Sequence, residues 1–206
     1  LGFASGISPF GMAIVVPTLE LFANEFQSSY SIIQFIISAY LFGLAISQPF
    51  MGFLSDKLGR KPVMISGIIL FIIASYICMT AETLSTLIVA RFLQGVGGSV
   101  GTVTSRAIIR DSYSGDQAAK SLSRVTATMG MAPMIAPVIG AIALSISGSP
   151  NGIFLITLLI GIMILVPVLL FLPETVIKGD PEKTQTAWYK NYYKLLRSET
   201  FVGSTF

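Results

Sequence analysis

The chain contains no histidine and a single cysteine among its 206 residues, and only 11% of them are charged. Without histidine there is no imidazole general base, and the commonest metal ligand is missing. The lone cysteine, Cys78, cannot form an intrachain disulfide. A phosphate-cradling Gly-x-x-x-x-Gly-Lys-Ser/Thr loop is also absent, so this chain does not drive a process with ATP. The scarcity of charge is the most decisive lack. Soluble domains carry about 25% charged residues, and less than half of that cannot coat a globule of this size in water. The shortage is uneven too: residues 1–19, 26–55, 62–81 and 125–173 hold no Asp, Glu, Lys or Arg. A hydrocarbon span needs roughly 20 mostly apolar residues, and each stretch is about that long or longer. A soluble enzyme, a nucleic-acid binder and a disordered tail are excluded together.

What is present is apolar surface, at 53% of residues, with a mean hydropathy of +0.78. Turn and charge punctuation divides it into six expected helices, at about 3–22, 31–54, 62–80, 84–106, 122–146 and 153–172. The fold class is therefore an all-α membrane protein, a six-transmembrane-helix bundle over residues 1–175, with the lipid bilayer as its surroundings. A membrane barrel is a poor alternative, because the apolar runs do not alternate with period two. The chain opens at Leu1 without a basic segment, so no signal peptide is expected and the first helix is expected to be already under way.

The basic residues orient the bundle. Of the 13 Lys and Arg, 12 fall in the second connection, the fourth connection with its flanks, or the tail after the sixth helix; the other is Arg91. By the positive-inside rule the connections around 56–61 and 107–121 are cytoplasmic, and those around 23–30, 80–84 and 147–152 face outward. This arrangement suits the plasma (inner) membrane. The formal charge of +3 and pI near 9.1 then reflect cytoplasmic loops rather than a nucleic-acid partner. Residues 176–206 mix charge with Trp188, Tyr189, Tyr192 and Tyr193. They read as a cytoplasmic loop holding an amphipathic segment on the membrane surface, or as a solvated linker, with Phe201–Phe206 turning apolar like the start of a seventh span.

Three segments carry more information than hydropathy. Gly52-Phe53-Leu54-Ser55-Asp56-Lys57-Leu58-Gly59-Arg60-Lys61-Pro62 forms the tight link between the second and third helices. Gly59 permits a positive φ and Pro62 opens the next helix. Asp56 is surplus to a basic anchoring loop. It can pair with Arg60 or sit at a helix N-terminus, in a contact made in one conformation and broken in another; an ordinary positive-inside turn is the plainer reading. In the fourth helix Arg91 lies seven residues from the external end, roughly 10 Å deep, where a charge costs at least ~2.5 kcal/mol to insert. It either faces the bundle interior beside Gln94 or snorkels to the outer interface. Pro133 and Pro137 stand four apart in the fifth helix with Gly140 following, a pattern that bends a helix and lets neighbours approach.

The loop segment resembles the Gly-x-x-x-Asp-x-x-Gly-Arg-Lys/Arg signature of the major facilitator superfamily, matching at Gly52, Asp56, Gly59, Arg60 and Lys61. Arg91-Phe92-Leu93-Gln94-Gly95 is similar to the family's Arg-x-x-Gln-Gly pattern, and Ala136-Pro137-Val138-Ile139-Gly140-Ala141 to the antiporters' Gly-Pro-x-x-Gly-Gly motif. With Arg106-Ala107-Ile108-Ile109-Arg110-Asp111 and Leu172-Pro173-Glu174-Thr175, the pattern most resembles bicyclomycin-resistance (Bcr/CflA) type multidrug exporters.

That resemblance implies a twelve-helix fold of which this is the N-terminal half, with a C-terminal six-helix half as its partner and residues 176–206 as the interdomain loop. It implies proton-coupled export of small amphipathic compounds, no enzymatic activity and no cofactor or metal. It assigns the loop residues to a conformational switch, Arg91 and Gln94 to the central cavity near the coupling acid, and Pro133, Pro137 and Gly140 to a bent helix that seals against leak. Met12, Gln34, Ser38 and Tyr40 are candidates to line the substrate cavity. The chain departs from the pattern at Ala13, where related exporters often carry aspartate, and Glu20 becomes either a proton carrier or an interface residue. A sugar or metabolite porter shares the loop signature, though the fifth-helix motif argues against it. A channel subunit or receptor is a different class of reading, and the charged pore ring or filter expected of a channel is missing.

The topology has a direct check. In a Cys78→Ala background, a cysteine placed at Leu58 is expected to react with an impermeant thiol reagent only after the cells are permeabilised. Labelling in intact cells would invert the orientation.

Overall fold

The computed structural model describes residues 1–175, and the expected amphipathic segment and seventh-span start lie outside them. Six helices are long and apolar enough to cross a membrane: α1 Gly2–Glu25, α2 Tyr30–Leu58, α3 Arg60–Met79, α4 Leu84–Ser112, α5 Gly115–Ser147 and α6 Gly152–Phe171. The described residues contain no strand.

Two features differ from the expected spans, each for a local reason. The first helix is not continuous. It ends at Ala13 and resumes through a 3-10 turn, Val16–Thr18, before Leu19–Glu25. Pro17 supplies the cause, since it has no N–H and its ring collides with the carbonyl four residues back, that of Ala13. The fourth and fifth helices also outrun the charge-free stretches. α4 reaches Ser112 and α5 starts at Gly115, so the expected loop 107–121 is helical except at Tyr113-Ser114. Arg106, Arg110, Asp111 and Lys120 mark where the apolar composition ends, but Arg and Lys are good helix formers. Composition marks the membrane edge, and the backbone hydrogen bonds continue past it.

α4 is the axis of the bundle. α1, α2 and α3 pack along it, α6 packs on α3, and α5 packs chiefly on α1. The close approach follows from glycine. A Cβ at Gly95 would collide with the Tyr40 carbonyl of α2, and one at Gly101 with the Ala4 carbonyl of α1. Where a neighbouring backbone fills the side-chain position, only glycine fits. The helices differ sharply in how much they bury: 61% of the apolar window of α4 is covered, against 28% for α2 and 17% for α5. α2 exposes Phe35, Phe42 and Phe50, and α5 exposes Met134, Val138 and Ile146. α1 and α4 form the interior, while α2 and α5 carry apolar faces that nothing within the unit covers.

The packing predicts that Gly95→Val, which forces two methyls and a Cβ into the α2 backbone, destabilises the purified protein by about 2 kcal/mol, within the usual range for overpacking. A lowered melting temperature in detergent checks it; an unchanged one would mean that α2 and α4 separate freely.

Candidate functional site

Two arginines among the described residues are buried, and their surroundings are opposite in kind. Arg60, at the start of α3, is only 7% exposed. The chain reverses before it at Gly59, whose φ of +109° lies in the region open to glycine. The Arg60 guanidinium forms an ion pair with Asp56 of α2. Its Nε donates to Asp111 Oδ2 of α4 at 2.9 Å, and Nη1 donates to Ser55 Oγ at 2.6 Å. Glu174, just after α6, completes the cluster from the far side. Its carboxylate accepts the backbone N–H of Arg60 at 2.9 Å and of Lys61 at 3.1 Å. A carboxylate at a helix N-terminus satisfies orphan amides and meets the positive end of the helix dipole. Four helix ends thus converge on Arg60, with α2 and α4 meeting its guanidinium and the segment after α6 its backbone amide. Asp56 remains 65% exposed at its side chain, so the pair can open without stranding a buried carboxylate.

Arg91 is fully buried in α4, and no carboxylate pairs with it among the described residues. Its Nη1 donates to the Gly11 carbonyl of α1 at 3.0 Å and to Gln94 Oε1, while Nε donates to the Ile36 carbonyl of α2 at 3.3 Å. The guanidinium carbon stands 4.3 Å from the centre of the Tyr40 ring, a desolvated cation–π contact worth ~2 kcal/mol. Nη2 has no hydrogen-bond partner among the described residues. Gln94, one turn further on, donates to Ser75 Oγ of α3 at 2.7 Å and to Thr157 Oγ1 of α6 at 3.3 Å. Arg91 and Gln94 together reach α1, α2, α3 and α6. The Gly11 carbonyl lies two residues before the point where α1 breaks, so the break and the arginine occupy the same level.

The structure brings some of the expected residues together and separates others. Gly52, Asp56, Gly59, Arg60 and Lys61 lie at one corner, where α2 ends and α3 begins. Gly140 of α5 packs directly on the Ile14 carbonyl beside the α1 break, Pro133 and Pro137 lie half-buried on the same helix, and α5 runs unbroken through both prolines. Gln34 and Ser38 are exposed on α2, and Met12 is half-buried on α1. Tyr40 is a correction: it does not line an open surface. Its ring is fully buried beneath Arg91, and its hydroxyl donates to the Ser8 carbonyl of α1 at 2.9 Å. An aromatic face compensates the buried cation, which keeps the side chain inside. Glu20 is exposed on the Leu19–Glu25 segment of α1, with no ion pair to Arg91.

Sequence reasoning missed Ser75 and Thr157 as partners of Gln94, and Gly11 and Ile36 as acceptors for Arg91. A hydroxyl in the middle of an apolar span is a detectable, if weak, signal for the first two. For the backbone carbonyls no residue-type signal exists.

The Major Facilitator Superfamily family model matches residues 1–205. The chain is 34% identical over 206 residues to the uncharacterized MFS-type transporter YdgK of Bacillus subtilis, covering 98% of this chain and 51% of that protein. It is 30% identical over 175 residues to a bicyclomycin resistance protein homolog of Haemophilus influenzae, covering 85% of this chain and 44% of that one. Among solved structures, a D-xylose-proton symporter shares the fold with a TM-score of 0.74 at 15% identity, over 95% of this chain and 51% of that chain. The chain spans about half the length of the curated relatives it matches.

The Glu174 cap generates a stability prediction. Glu174→Gln keeps the size of the side chain but removes its charge from the α3 N-terminus, and is expected to cost about 1 kcal/mol. A melting temperature lowered by a few degrees, with the loss shrinking in high salt, is the expected reading.

Proposed function

The chain belongs to the major facilitator superfamily, and we propose that it forms the N-terminal six-helix half of a proton-coupled exporter of drugs or other small amphipathic compounds. In this reading the protein is multi-pass in the plasma (inner) membrane, with the Arg60 cluster in the cytoplasm, and works by alternating access. Its relatives are transporters, and one is named for bicyclomycin resistance.

The observation that carries the reading is the Asp56–Arg60 pair: a half-exposed carboxylate on a buried arginine, where the cytoplasmic ends of α2, α3 and α4 meet. Alternating access needs contacts that hold one arrangement of helix bundles and release in the other. When the pair opens, water can take up the exposed Asp56 carboxylate, and the buried Arg60 keeps Asp111 and Ser55 as partners. The open apolar faces of α2 and α5 are in keeping with a second six-helix half seated against them. Gly140 on the α1 break, with two prolines beside it, supports an export function rather than a sugar or metabolite porter, since it places a rigidly packed α5 along α1. Every Asp and Glu among the described residues is exposed. The coupling acid is accordingly assigned to residues beyond them, with Glu20 as the acid of α1 nearest the membrane interior.

The test is whole-cell accumulation of a fluorescent drug by the full-length gene product, with and without a protonophore. Cells expressing the protein should hold less dye, and the protonophore should abolish the difference. Asp56→Asn is expected to cut efflux at least fivefold while expression stays near normal. Full efflux in the asparagine variant would leave the loop as a plain turn.

A further inference from the structure

The helix ends that meet at Tyr113-Ser114 carry four basic residues, Arg106 and Arg110 on α4 and Lys120 and Arg124 on α5. Within each pair the spacing is four residues, so both members lie on one face of their helix, a turn apart. Like charges so placed repel, and an anion seated among them turns the repulsion into attraction. All four residues are exposed. Arg106 Nη2 reaches Met129 Sδ of α5 at 3.9 Å, so the two helix ends lie side by side here. Two acids fall between residues 106 and 124, Asp111 and Asp116, and Asp111 is paired with Arg60.

An open cleft of about 190 Å³ lies between these ends and the start of α1 at Leu1 and Gly2. Its walls include Ile109 and Tyr113 of α4 and Ser121, Arg124 and Val125 of α5. Ile109 and Val125 are buried and supply an apolar side, while Tyr113 and Arg124 are exposed. The guanidinium of Arg124 and the hydroxyls of Tyr113 and Ser121 are hydrogen-bond donors. The cleft also has a defined depth. Residues 92–105 and 125–173 are charge-free, so Arg106 and Arg124 are the first charges past the hydrocarbon on adjacent helices. That is the level of phospholipid headgroups. A guanidinium grips phosphate through two parallel N–H donors, and basic pockets between membrane helices suit such headgroups. The volume is several times the ~30 Å³ share of a water, room enough for a phosphodiester. A free phosphate gains nothing from Ile109 and Val125, whereas a lipid brings glycerol and acyl carbons to them.

We infer that this end of the bundle binds the headgroup of an anionic phospholipid, with Arg124 gripping the phosphate and Arg106, Arg110 and Lys120 setting the positive potential around it. Tyr113 and Ser121 donate to the remaining headgroup oxygens, and Ile109 and Val125 meet the glycerol. The site rests on the membrane-spanning bundle and not on the transport reading. A lipid held there bridges α4 and α5, and a ligand that binds only the folded protein raises its melting temperature.

The experiment titrates the full-length gene product, in neutral detergent at constant ionic strength, with phosphatidylglycerol, phosphatidylcholine, glycerol phosphate or inorganic phosphate. Native mass spectrometry reads the bound lipid, and a melting curve reads its effect. Phosphatidylglycerol should bind saturably, about tenfold or more tighter than phosphatidylcholine, and raise the melting temperature; the two soluble phosphates should do neither. Each basic residue beside a headgroup is worth about fivefold in affinity. Arg124→Gln should therefore weaken phosphatidylglycerol binding by about fivefold or more, Arg124→Lys by less, and the Arg106→Gln, Arg110→Gln pair at least as much as Arg124→Gln. Lys57→Gln, at an exposed basic residue in the last turn of α2, should leave binding unchanged. Variants are compared where they melt cooperatively, and if no arginine variant does, the wild-type ordering of the four ligands decides. Equal binding of the two lipids would overturn the inference, and a cleft covered by other parts of the whole protein would give that result. Equal losses in Lys57→Gln and Arg124→Gln would reduce the effect to diffuse surface attraction, and full binding in folded Arg124→Gln would place the lipid elsewhere. A soluble phosphate matching phosphatidylglycerol would make this a free-anion site. Each of these three results also overturns the lipid site, and none of them bears on transport.

Discussion

A buried guanidinium in a membrane has to find its hydrogen bonds inside the protein, and the arrangement of this bundle follows from how Arg91 does so. Lipid supplies no acceptors, and an unsatisfied polar group there costs several kcal/mol. Arg91 therefore holds α1 at Gly11 and α2 at Ile36, and passes a third bond to Gln94, which fixes α3 at Ser75 and α6 at Thr157. Four helices are positioned by two side chains one turn apart on a fifth. The glycines of α4 serve the same end, because they let backbones come near enough for carbonyls to be in reach. α5 stands outside this set and is held chiefly by close packing on α1.

The Arg60 cluster obeys different physics. Its guanidinium is buried, but the carboxylates that pair with it are partly hydrated and open to screening by salt. Its bonds run to carboxylates at the ends of α2, α4 and, through the backbone amides, the segment after α6. Breaking such a bond exposes a carboxylate to water at little cost, whereas breaking one at Arg91 strands a donor in a dry interior. One arginine is suited to change partners and the other to keep them.

The uneven burial of the helices belongs to the same picture. α1 and α4 meet their polar and packing needs within the unit, while α2 and α5 leave phenylalanine, methionine and branched side chains uncovered. In lipid those faces carry no penalty of their own, so their exposure is compatible with the stability of the unit. The chain's match to only about half of each curated relative accords with a second bundle meeting them.

Much of this was legible before any coordinates. Charge-free stretches of span length gave the number of helices, because a hydrocarbon core excludes charge over a fixed thickness. Gly59, Asp56 and Arg60 announced the corner where they meet, because a tight reversal has few solutions in side-chain chemistry. Pro17 stood in plain view, yet the break it makes in α1 was read only from the backbone. The extension of α4 to Ser112 was likewise hidden, since the end of an apolar run marks the membrane and not the helix. Tyr40 shows the limit most clearly. Its sequence position fits a cavity wall as well as a core, and only the packing of α4 against α2 put it beneath Arg91. The sequence by itself set Arg91 and Gln94 inside a span-length helix and left open whether Arg91 faces the bundle or snorkels. The tertiary structure decided which partners the two meet, because the acceptors are backbone carbonyls, which every residue carries, and hydroxyls from helices distant along the chain.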